Sequence, residues 1–600
     1  MTAYEGDTGG LELSEEAFAY TSDYGNIESY RFKDLTEGGR SYTTEIGYAD
    51  KRYGTVNRVT VKGDDGQTYR EAEATYTNTF TPWAMSTLTR KLDDGQTAHF
   101  KFEYDHFGNL TRKESDSTFF TYTYERRYNM YPERVEDAFG YRSEMEDYDY
   151  RYGIPLTVRD MNGYTVKYHT DGYGRVDTIV APNEQSAGNP FTIAYQYVNG
   201  NDYKTRYAVT NHFDVQHPDD PVTTVTHVDG LGRPLQVKKE AEIDGSVRYI
   251  VSGKAEYDAL GRTVRSYHPS TCAAGDALKL ATFSDRLLNS SSFDAIDRPL
   301  TQTLPGDASG AESTTATAYR QEDGLAVTTV TAPNGNQTST YTNGAGQTVR
   351  MVRDLDGKPV ETRFFFDPVG QLDSLIDARG SVTRYTYDMA GRKLSVGHPS
   401  AGLTTFKYDV AGNVLEKETE NLRAEKKKIE YSYEKNRLKR VTYPNHPENN
   451  VTYTYGGVNA DFNRVGRVAL VEDGSGATEF FYGRMGEVVK QRRTLVIPNV
   501  AVATYTTKWK YDSQNRILEM EYPDEEKISY LYNRGGLLRQ VSGEKSHKYR
   551  YIDSIAYDAY EQKVYQKYGN GTETRYSYSD NRRRLAGMTV ESPVYQSAIM

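Results

Sequence analysis

The 600-residue chain carries a net charge of -11 and has a pI near 5.6, which argues against a nucleic-acid-binding surface. It contains a single cysteine, Cys272, so an intrachain disulfide and a cysteine zinc site are both excluded. No apolar run approaches the roughly 20 residues that span a bilayer, and the first residues show no signal-peptide pattern. Tyrosine is abundant, with 53 residues, although the mean hydropathy is -0.77, which predicts a long thin sheet rather than a thick aliphatic core.

Three stretches follow one another along the chain. Residues 1–95 contain alternating β-type segments without a clear repeat, and we expect them to form a β-rich lead-in. Residues 96–340 contain degenerate repeats, in which Asp-x-x-Gly turns recur with irregular spacing. Residues 341–600 contain regular repeats, in which Phe366, Tyr387 and Tyr408 stand 21 residues apart. A fixed step of this kind indicates one supersecondary unit copied many times.

The repeated unit, here called the cassette, reads aromatic-x-Tyr-Asp-x-x-Gly-Arg or Asn. Alternation places both aromatic side chains on one face of a strand. The Asp satisfies backbone donors in the following turn, and the Gly takes the positive φ that closes a hairpin. The residues expected to build this structural signature are Tyr104, Asp105, Gly108, Tyr257, Asp258, Gly261, Arg262, Phe366, Asp367, Gly370, Tyr387, Asp388, Gly391, Arg392, Tyr408, Asp409, Gly412, Tyr511 and Asp512.

Each cassette predicts two strands of about six residues, so the chain should be all-β with roughly thirty strands. We expect the tyrosines of neighbouring repeats to stack in ladders. An open sheet rarely exceeds about ten strands without curling, and a closed, solidly packed barrel holds about eight. The array is therefore expected to wind into a solenoid or around a wide cavity.

The cassettes at Tyr387-Asp388 and Tyr408-Asp409 resemble the YD repeat of the Rhs family, and the resemblance extends over roughly residues 100–590. This family includes bacterial Rhs toxins, the B and C components of insecticidal toxin complexes and, more distantly, the teneurin shell. The resemblance implies a β-sheet spiral that encloses a hollow cocoon and stores a toxic segment. It also implies an Asp-Pro-x-Gly-Leu element that closes the shell and supports self-cleavage.

The chain departs from the family pattern at its end, where no Asp-Pro-x-Gly-Leu element precedes Met600. We therefore expect a truncated array, either a fragment or one subunit of a split shell. The nearest match is Asp367-Pro368-Val369-Gly370-Gln371-Leu372. It could mark a cleavage site, but it lies in register with the repeats, which favours an ordinary repeat turn.

No catalytic, cofactor-binding or metal-binding motif stands out. Gly-x-Gly occurs at three repeat turns but lacks the third glycine of a dinucleotide-binding fingerprint. His212 and His217 are the closest histidine pair, and scattered histidines of this kind predict no metal site. Asp residues fall mostly at turns, where backbone chemistry explains them. We expect no enzyme activity, no cofactor and no metal.

The preferred function is a non-enzymatic shell segment that encapsulates and helps to deliver a toxin or effector, encoded C-terminally or by a partner. The partners implied are that cargo or a shell-completing chain, with no nucleic acid and no membrane span. The expected location is outside a bacterium, secreted or at the cell surface; the lack of a signal-peptide pattern implies either a dedicated export system or a fragment of a longer protein. A surface adhesion array that binds cell-surface glycans through aromatic side chains is the alternative, and a purely structural wall protein is a third possibility.

Overall fold

Antiparallel β-hairpins make up almost all of the structure, which is a computed structural model. It describes residues 2–4 and 12–594, with gaps at residues 37, 78–83, 244, 283–287, 307–309, 356 and 498. Two short α-helices interrupt the hairpins, Pro182–Ala187 (α1) and Glu420–Ala424 (α2). Single 3₁₀ turns lie at Asp93–Gly95, Ala274–Asp276 and Pro447–Asn449.

The strands are numbered β1 to β49 in chain order. Strands β1 to β23 span Thr2–Tyr4, Glu12–Tyr20, Ile27–Asp34, Ser41–Asp50, Thr55–Gly63, Thr68–Tyr76, Met85–Lys91, Thr97–Tyr104, Leu110–Ser115, Phe119–Tyr124, Pro132–Asp137, Arg142–Asp149, Ile154–Arg159, Thr165–Thr170, Val176–Val180, Ile193–Val198, Tyr207–His212, Val222–Val228, Pro234–Ile243, Ser246–Ser252, Ala255–Tyr257, Thr263–Tyr267 and Ser270–Ala273. Strands β24 to β49 span Leu288–Phe293, Pro299–Leu304, Ser313–Glu322, Leu325–Thr331, Gln337–Thr342, Thr348–Leu355, Lys358–Phe366, Leu372–Ile376, Val382–Tyr387, Lys393–His398, Gly402–Tyr408, Val414–Glu418, Ile429–Glu434, Arg437–Thr442, Val451–Tyr455, Val468–Asp473, Gly476–Tyr482, Val488–Ile497, Ala501–Tyr511, Ile517–Glu521, Lys527–Tyr532, Leu538–Glu544, Lys548–Tyr557, Lys563–Tyr568, Glu573–Tyr578 and Leu585–Glu591.

The predicted all-β hairpin array is confirmed. The described strands form two antiparallel sheets, one holding β1–β20 and β23, and the other holding β21, β22 and β24–β49. The estimate of roughly thirty strands was too low, because the described residues already contain 49. The lead-in forms the same hairpins without a recognisable cassette, and the degenerate stretch forms them with irregularly spaced ones. The period-two pattern holds in β32, where Tyr385 and Tyr387 are half-buried and Arg384 and Thr386 are exposed.

By its contacts the chain divides into two units, each assembled from an N-terminal and a C-terminal segment. The first unit comprises residues 1–142, 316–454 and 471–475, and the second comprises 143–315, 455–470 and 476–600. The three-part division at residues 95 and 340 describes repeat regularity and stays a prediction.

Each unit has a small apolar core rather than a thick one. In the first unit, Leu325, Val327 and Tyr341 form a buried cluster. In the second unit, Ala241 and Ile243 of β19 and Ile250 of β20 form another. Most cassette side chains are only half-buried, so stability depends strongly on polar contacts at the turns.

Candidate functional site

The aspartate of each cassette closes the hairpin turn that follows it. In the turn after β32, the Asp388 amide donates to the carbonyl of Arg392 at 3.0 Å, and the Gly391 amide donates to the carbonyl of Asp388 at 2.9 Å. The Asp388 Oδ1 accepts from the amides of Ala390 and Arg392 at 2.9 and 2.8 Å. Gly391 has a φ of +82°, a conformation that favours glycine.

The other predicted signature residues occupy equivalent places. The same two backbone hydrogen bonds and the same carboxylate contacts occur at Asp105/Gly108, Asp258/Gly261, Asp367/Gly370 and Asp409/Gly412. The Asp512 turn has Asn515 in the glycine place, at a φ of +60°. The signature therefore builds one recurring turn, and the sequence brings its members together locally at each repeat.

A β-bulge precedes every one of these turns, and the sequence pattern did not reveal it. Tyr387 pairs with Lys393, and the register shifts between Thr386 and Tyr387. The same shift occurs at Tyr104, Tyr257, Phe366, Tyr408 and Tyr511. A bulge bends its strand and increases the local right-handed twist. Each cassette therefore adds twist to the sheet at the same end of its hairpin.

The last residue of the cassette completes the aspartate's hydrogen bonding. Nε of Arg262 donates to Oδ2 of Asp258 at 2.7 Å, and Nε of Arg516 donates to Oδ2 of Asp512 at 2.6 Å. Arg392 makes the same contact with Asp388. The backbone and side-chain hydrogen bonds from Arg262 hold the pKa of Asp258 below its ordinary value.

Asparagine can replace arginine in this role. The side-chain amide of Asn109 donates to Oδ2 of Asp105 at 3.0 Å, and that of Asn413 donates to Oδ2 of Asp409 at 2.8 Å. The Arg or Asn in the sequence motif therefore has a direct structural role, whereas turn chemistry alone had accounted only for the Asp and the Gly.

The cassette tyrosine anchors its strand to the preceding hairpin. The hydroxyl of Tyr387 donates to the carbonyl of Leu372 at 3.0 Å, and that of Tyr408 donates to the carbonyl of Lys393 at 2.8 Å. In both cases the acceptor is the first residue of the strand after the previous turn. Burial raises the pKa of both tyrosines. Equivalent hydroxyl bonds are made by Tyr104, Tyr124, Tyr197, Tyr257, Tyr482, Tyr532, Tyr557 and Tyr578.

The cassette arginine also reaches the next repeat. The guanidinium of Arg392 lies 5.0 Å from the ring centroid of Tyr408, and its Nη1 donates to the carbonyl of Asp409 at 2.5 Å. Arg233 lies 4.3 Å from the ring of Tyr257 in the same way. Successive cassettes are thus linked by arginine–ring and hydroxyl–carbonyl contacts.

Ring-to-ring contacts across neighbouring strands occur in the lead-in, outside the cassettes. Phe18 lies 5.0 Å from Tyr30, and Tyr30 lies 6.0 Å from Tyr42, between ring centroids on successive strands. These ring pairs are tilted and edge-on rather than stacked, so the expected stacking of cassette tyrosines stays a prediction.

Asp367, considered as a cleavage residue, has the geometry of a repeat turn. Its carboxylate accepts from the amides of Val369 and Gln371 at 3.0 and 2.8 Å. Gln371 stands in the arginine place, and its side-chain oxygen accepts instead from Arg70. Burial raises the pKa of Asp367, which lines a cavity of about 940 Å³ with Tyr69.

Cassette turns of the C-terminal segment contact residues about 300 positions earlier in each unit, a set of contacts here called the seam. In the first unit, Oδ1 of Asp93 accepts from the amide of Met389 at 3.1 Å. Oδ1 of Asp34 accepts from the amide of Gly344 at 3.1 Å. Further along, the guanidinium of Arg437 lies 3.3 Å from the ring centroid of Phe139.

In the second unit, the seam is rich in buried charge. Asp214 is almost fully buried and accepts from Nη2 of Arg516 at 2.9 Å and from Nδ1 of His217 at 3.0 Å. Burial raises the pKa of Asp214, but the hydrogen bonds from His217 and Gln216 and the charge of Arg516 outweigh it and lower the pKa. Nε of Arg534 donates to Glu240 at 3.1 Å.

Gln216 adds a backbone clamp to this seam. Its side-chain amide donates to the carbonyl of Tyr530 at 2.8 Å, and its side-chain oxygen accepts from the amide of Tyr532 at 2.8 Å. The amide nitrogen and the amide oxygen of the Gln216 side chain therefore both bond to the backbone of β44. Since the seam joins residues far apart in sequence, no local pattern indicated it.

The cassette turns of the second unit's N-terminal segment are exposed at their tips. Their third residues form a row, here called the rim: Tyr173, Leu231, Leu260 and Ile296, with exposures of 66% to 80%. By contrast, Gly535 in the third place of the Asn533 turn is buried against Ala241. The tip of the Asn533 turn is therefore covered, whereas the tips of the four rim turns are open.

The histidine pair does not assemble a metal site. His217 bonds to Asp214, whereas His212 lies in β17, where burial lowers its pKa. Within the described ranges, no group of three or more His, Cys, Asp or Glu side chains is placed to hold a metal ion. No helix in the described part of the chain is long and apolar enough to cross a membrane.

The RHS Repeat family model matches residues 366–402, which contain the Asp367 and Asp388 turns, and a domain of unknown function, DUF6443, matches residues 201–314. The resemblance to Rhs/YD-repeat proteins is therefore confirmed: the chain carries RHS repeats. No curated protein matches the sequence.

The fold is similar to that of solved toxin-complex structures. A chain in the Photorhabdus luminescens Tc holotoxin pore superposes with a TM-score of 0.83 and 16% identity, over 100% of this chain and 40% of that one. A chain in the crystal structure of TcdB2–TccC3 gives a TM-score of 0.80 and 16% identity, over 98% of this chain and 39% of that one. The chain thus spans about two fifths of the length of the structures it matches.

Proposed function

We propose that this chain is a wall segment of a toxin-complex shell, which encloses a toxin or effector and takes part in its delivery. The observation that carries the proposal is the seam. It joins turns about 300 residues apart within each unit, through contacts such as Asp214–Arg516. A hairpin array joined along its edges can form a wall without a thick core, and the similarity to the Tc structures supports this use of the fold.

The proposed role is non-enzymatic and requires a partner. The exposed rim of Tyr173, Leu231, Leu260 and Ile296 is an apolar row that a shell-completing chain or the cargo could cover. Function outside the producing bacterium, as a secreted or surface-associated component, follows from the proposed delivery role.

Small-angle scattering of the 600-residue chain tests the wall proposal. A compact globular chain of this length has a radius of gyration of about 25 Å. A wall segment should give a clearly larger value, and negative-stain images should show a curved or hollow particle. A filled particle with a radius of gyration near the globular value would refute the proposal.

Glycan binding is a second candidate, favoured by one observation: several tyrosines at turns are exposed, above all Tyr173 at 76%. Aromatic faces of this kind can stack on sugar rings. The wild-type chain should then bind glycans on an array, and Tyr173→Ala should weaken that binding. An array without binding would refute the glycan proposal and would not bear on the wall proposal.

A further inference from the structure

The hairpin of β41 and β42 has the longest pair of adjacent strands in the C-terminal segment of the second unit. They comprise ten and eleven residues and pair with each other from Lys490↔Lys508 to Ile497↔Ala501. Strand β43 pairs with β42 only from Lys508 to Tyr511. Among the described residues, the outer edge of β42 over 501–507 therefore has no strand beside it.

This open edge lacks the features that normally protect one. Residues 501–507 read Ala-Val-Ala-Thr-Tyr-Thr-Thr, without a charge or a proline. Proteins usually blunt exposed edges with lysine, proline or bulges, because the free N–H and C=O groups template further pairing. The apolar side chains beside the edge are also in solvent, with Val502 68% and Val500 77% exposed.

A lipid bilayer is a poor occupant for this edge. The outward N–H and C=O groups of an unpaired strand would lose their hydrogen bonds in hydrocarbon, at several kcal/mol for each group. Another β-strand satisfies those groups and covers the apolar side chains in a single contact.

We propose that two copies of this chain associate through this edge, with residues 501–507 of the two β42 strands pairing antiparallel about Thr504. In this register, Ala503 faces Tyr505 of the other copy, so a small residue lies beside a large one. Val502 faces Thr506, which places two β-branched side chains together.

The same register avoids like-charge contacts. Lys508 of one copy lies opposite Val500 of the other, so the two Lys508 side chains do not meet. Lys508 and Lys510 are already paired within their own chain, with Glu521 at 2.7 Å and Glu519 at 2.9 Å. The segment is therefore self-complementary without any change to its existing ion pairs.

The association closes at two copies. A two-fold axis through the Thr504 pair uses the same edge on both chains, so no edge is left for a third. A contact of one seven-residue strand from each copy buries less area than a standard protein interface. The fraction of dimer should therefore depend on protein concentration.

Sedimentation velocity over a concentration series tests this proposal. The wild-type chain should dimerise reversibly, with a dissociation constant of about 100 µM or below. The double variant Val502→Lys/Thr506→Lys places lysine opposite lysine twice, and should raise the dissociation constant about tenfold or more. Val502→Lys/Thr506→Glu places opposite charges in both contacts and should restore dimerisation.

Val330→Lys is the matched control, because Val330 is exposed but pairs with Thr317 of β26 on one side and with Thr338 of β28 on the other. It should leave the dissociation constant unchanged. Circular dichroism should show that all variants remain folded. A wild-type chain that stays monomeric throughout the series, or a Lys/Lys variant that dimerises like wild type, would overturn the proposal. If Val502→Lys/Thr506→Glu fails to restore dimerisation, the register centred on Thr504 is wrong.

Discussion

At the scale of single residues, Arg392 connects two repeats through three contacts: Asp388 in its own turn, and the ring of Tyr408 and the carbonyl of Asp409 in the next. Arg392→Ala leaves the buried Asp388 carboxylate without its side-chain partner, which costs about 1–3 kcal/mol. Arg392→Lys should recover little of the lost stability, since lysine lacks the planar guanidinium that makes these contacts. Hydrogen exchange across residues 382–418 should accelerate in both variants.

Arg379 provides the control for this prediction. It lies exposed in the Asp377 turn, at the opposite end of the hairpin from the cassette turns. Arg379→Ala should leave exchange in 382–418 unchanged. Equal acceleration in Arg379→Ala and Arg392→Ala would mean that surface charge, rather than the bridging geometry, sets the stability of these hairpins.

The tyrosine hydroxyl makes a separate contribution. Tyr408→Phe removes the bond to the Lys393 carbonyl but keeps the ring under Arg392, so it should cost about 1 kcal/mol. Tyr385→Phe is the matched control, because no hydrogen bond of the Tyr385 hydroxyl is found in the described structure. Local exchange protection should fall only in Tyr408→Phe, and similar losses in both would contradict the anchoring role of the hydroxyl.

The sequence could reveal only part of this chemistry. Asp388 and Gly391 were predictable because their partners lie within four residues. The acceptor of Tyr408 lies 15 residues earlier in the chain, and its approach depends on the bulge at Lys407/Tyr408. That bulge has no residue-level marker, so the anchoring bond could not be foreseen.

At the scale of elements, period-two alternation predicted the hairpins but not all of them. The lead-in lacks the regular cassette spacing, yet the Tyr48 hydroxyl donates to the Ile27 carbonyl at 2.7 Å, as in later repeats. The signal was present as Tyr48-Ala-Asp50 followed by Gly54, but one extra residue before the Asp and another before the Gly hid it. Helix α1, which begins at Pro182, was missed because six residues are too few to show periodicity.

The sheet formed by β18 and β19 contains a buried histidine that makes it sensitive to acid. His227 is fully buried, neither ring nitrogen has a hydrogen-bond partner among the described residues, and Lys238 lies nearby on β19. Burial and then the Lys238 charge lower the pKa of His227 to about 4. Because the unfolded chain binds this proton more readily, stability should fall as the pH drops from about 6.5 to about 4, by about 3 kcal/mol.

Replacing His227 tests this pH dependence. Exchange in residues 222–252, corrected for its intrinsic pH dependence, should accelerate towards pH 4.5 in the wild-type chain. His227→Phe should remove most of that change, whereas His446→Ala, at an exposed turn, should not. An unaltered pH profile in His227→Phe would show that another group controls the acid response.

At the scale of the whole molecule, the number of repeats was enough to predict the fold class, but the seam could not be predicted from it. Cassette spacing specifies which strands are neighbours along the chain. It does not specify which turns meet after about 300 residues, because this depends on accumulated twist and bulges. Contacts such as Gln216–Tyr532 and Arg534–Glu240 therefore required the structure.

The seam can be tested at Gly535, where a backbone approaches closely across it. An added Cβ would lie 3.0 Å from the Ala241 Cα and from the Glu240 carbonyl oxygen. Gly535→Leu should therefore separate β19 from the Asn533 turn, at a cost of about 1–3 kcal/mol for overpacking. Exchange should increase together in residues 234–243 and 527–544, although these segments are distant in sequence. Gly457→Leu is the control, because its Cβ would meet no atom within 4 Å. Acceleration confined to 527–544 would mean that the two segments are not energetically joined.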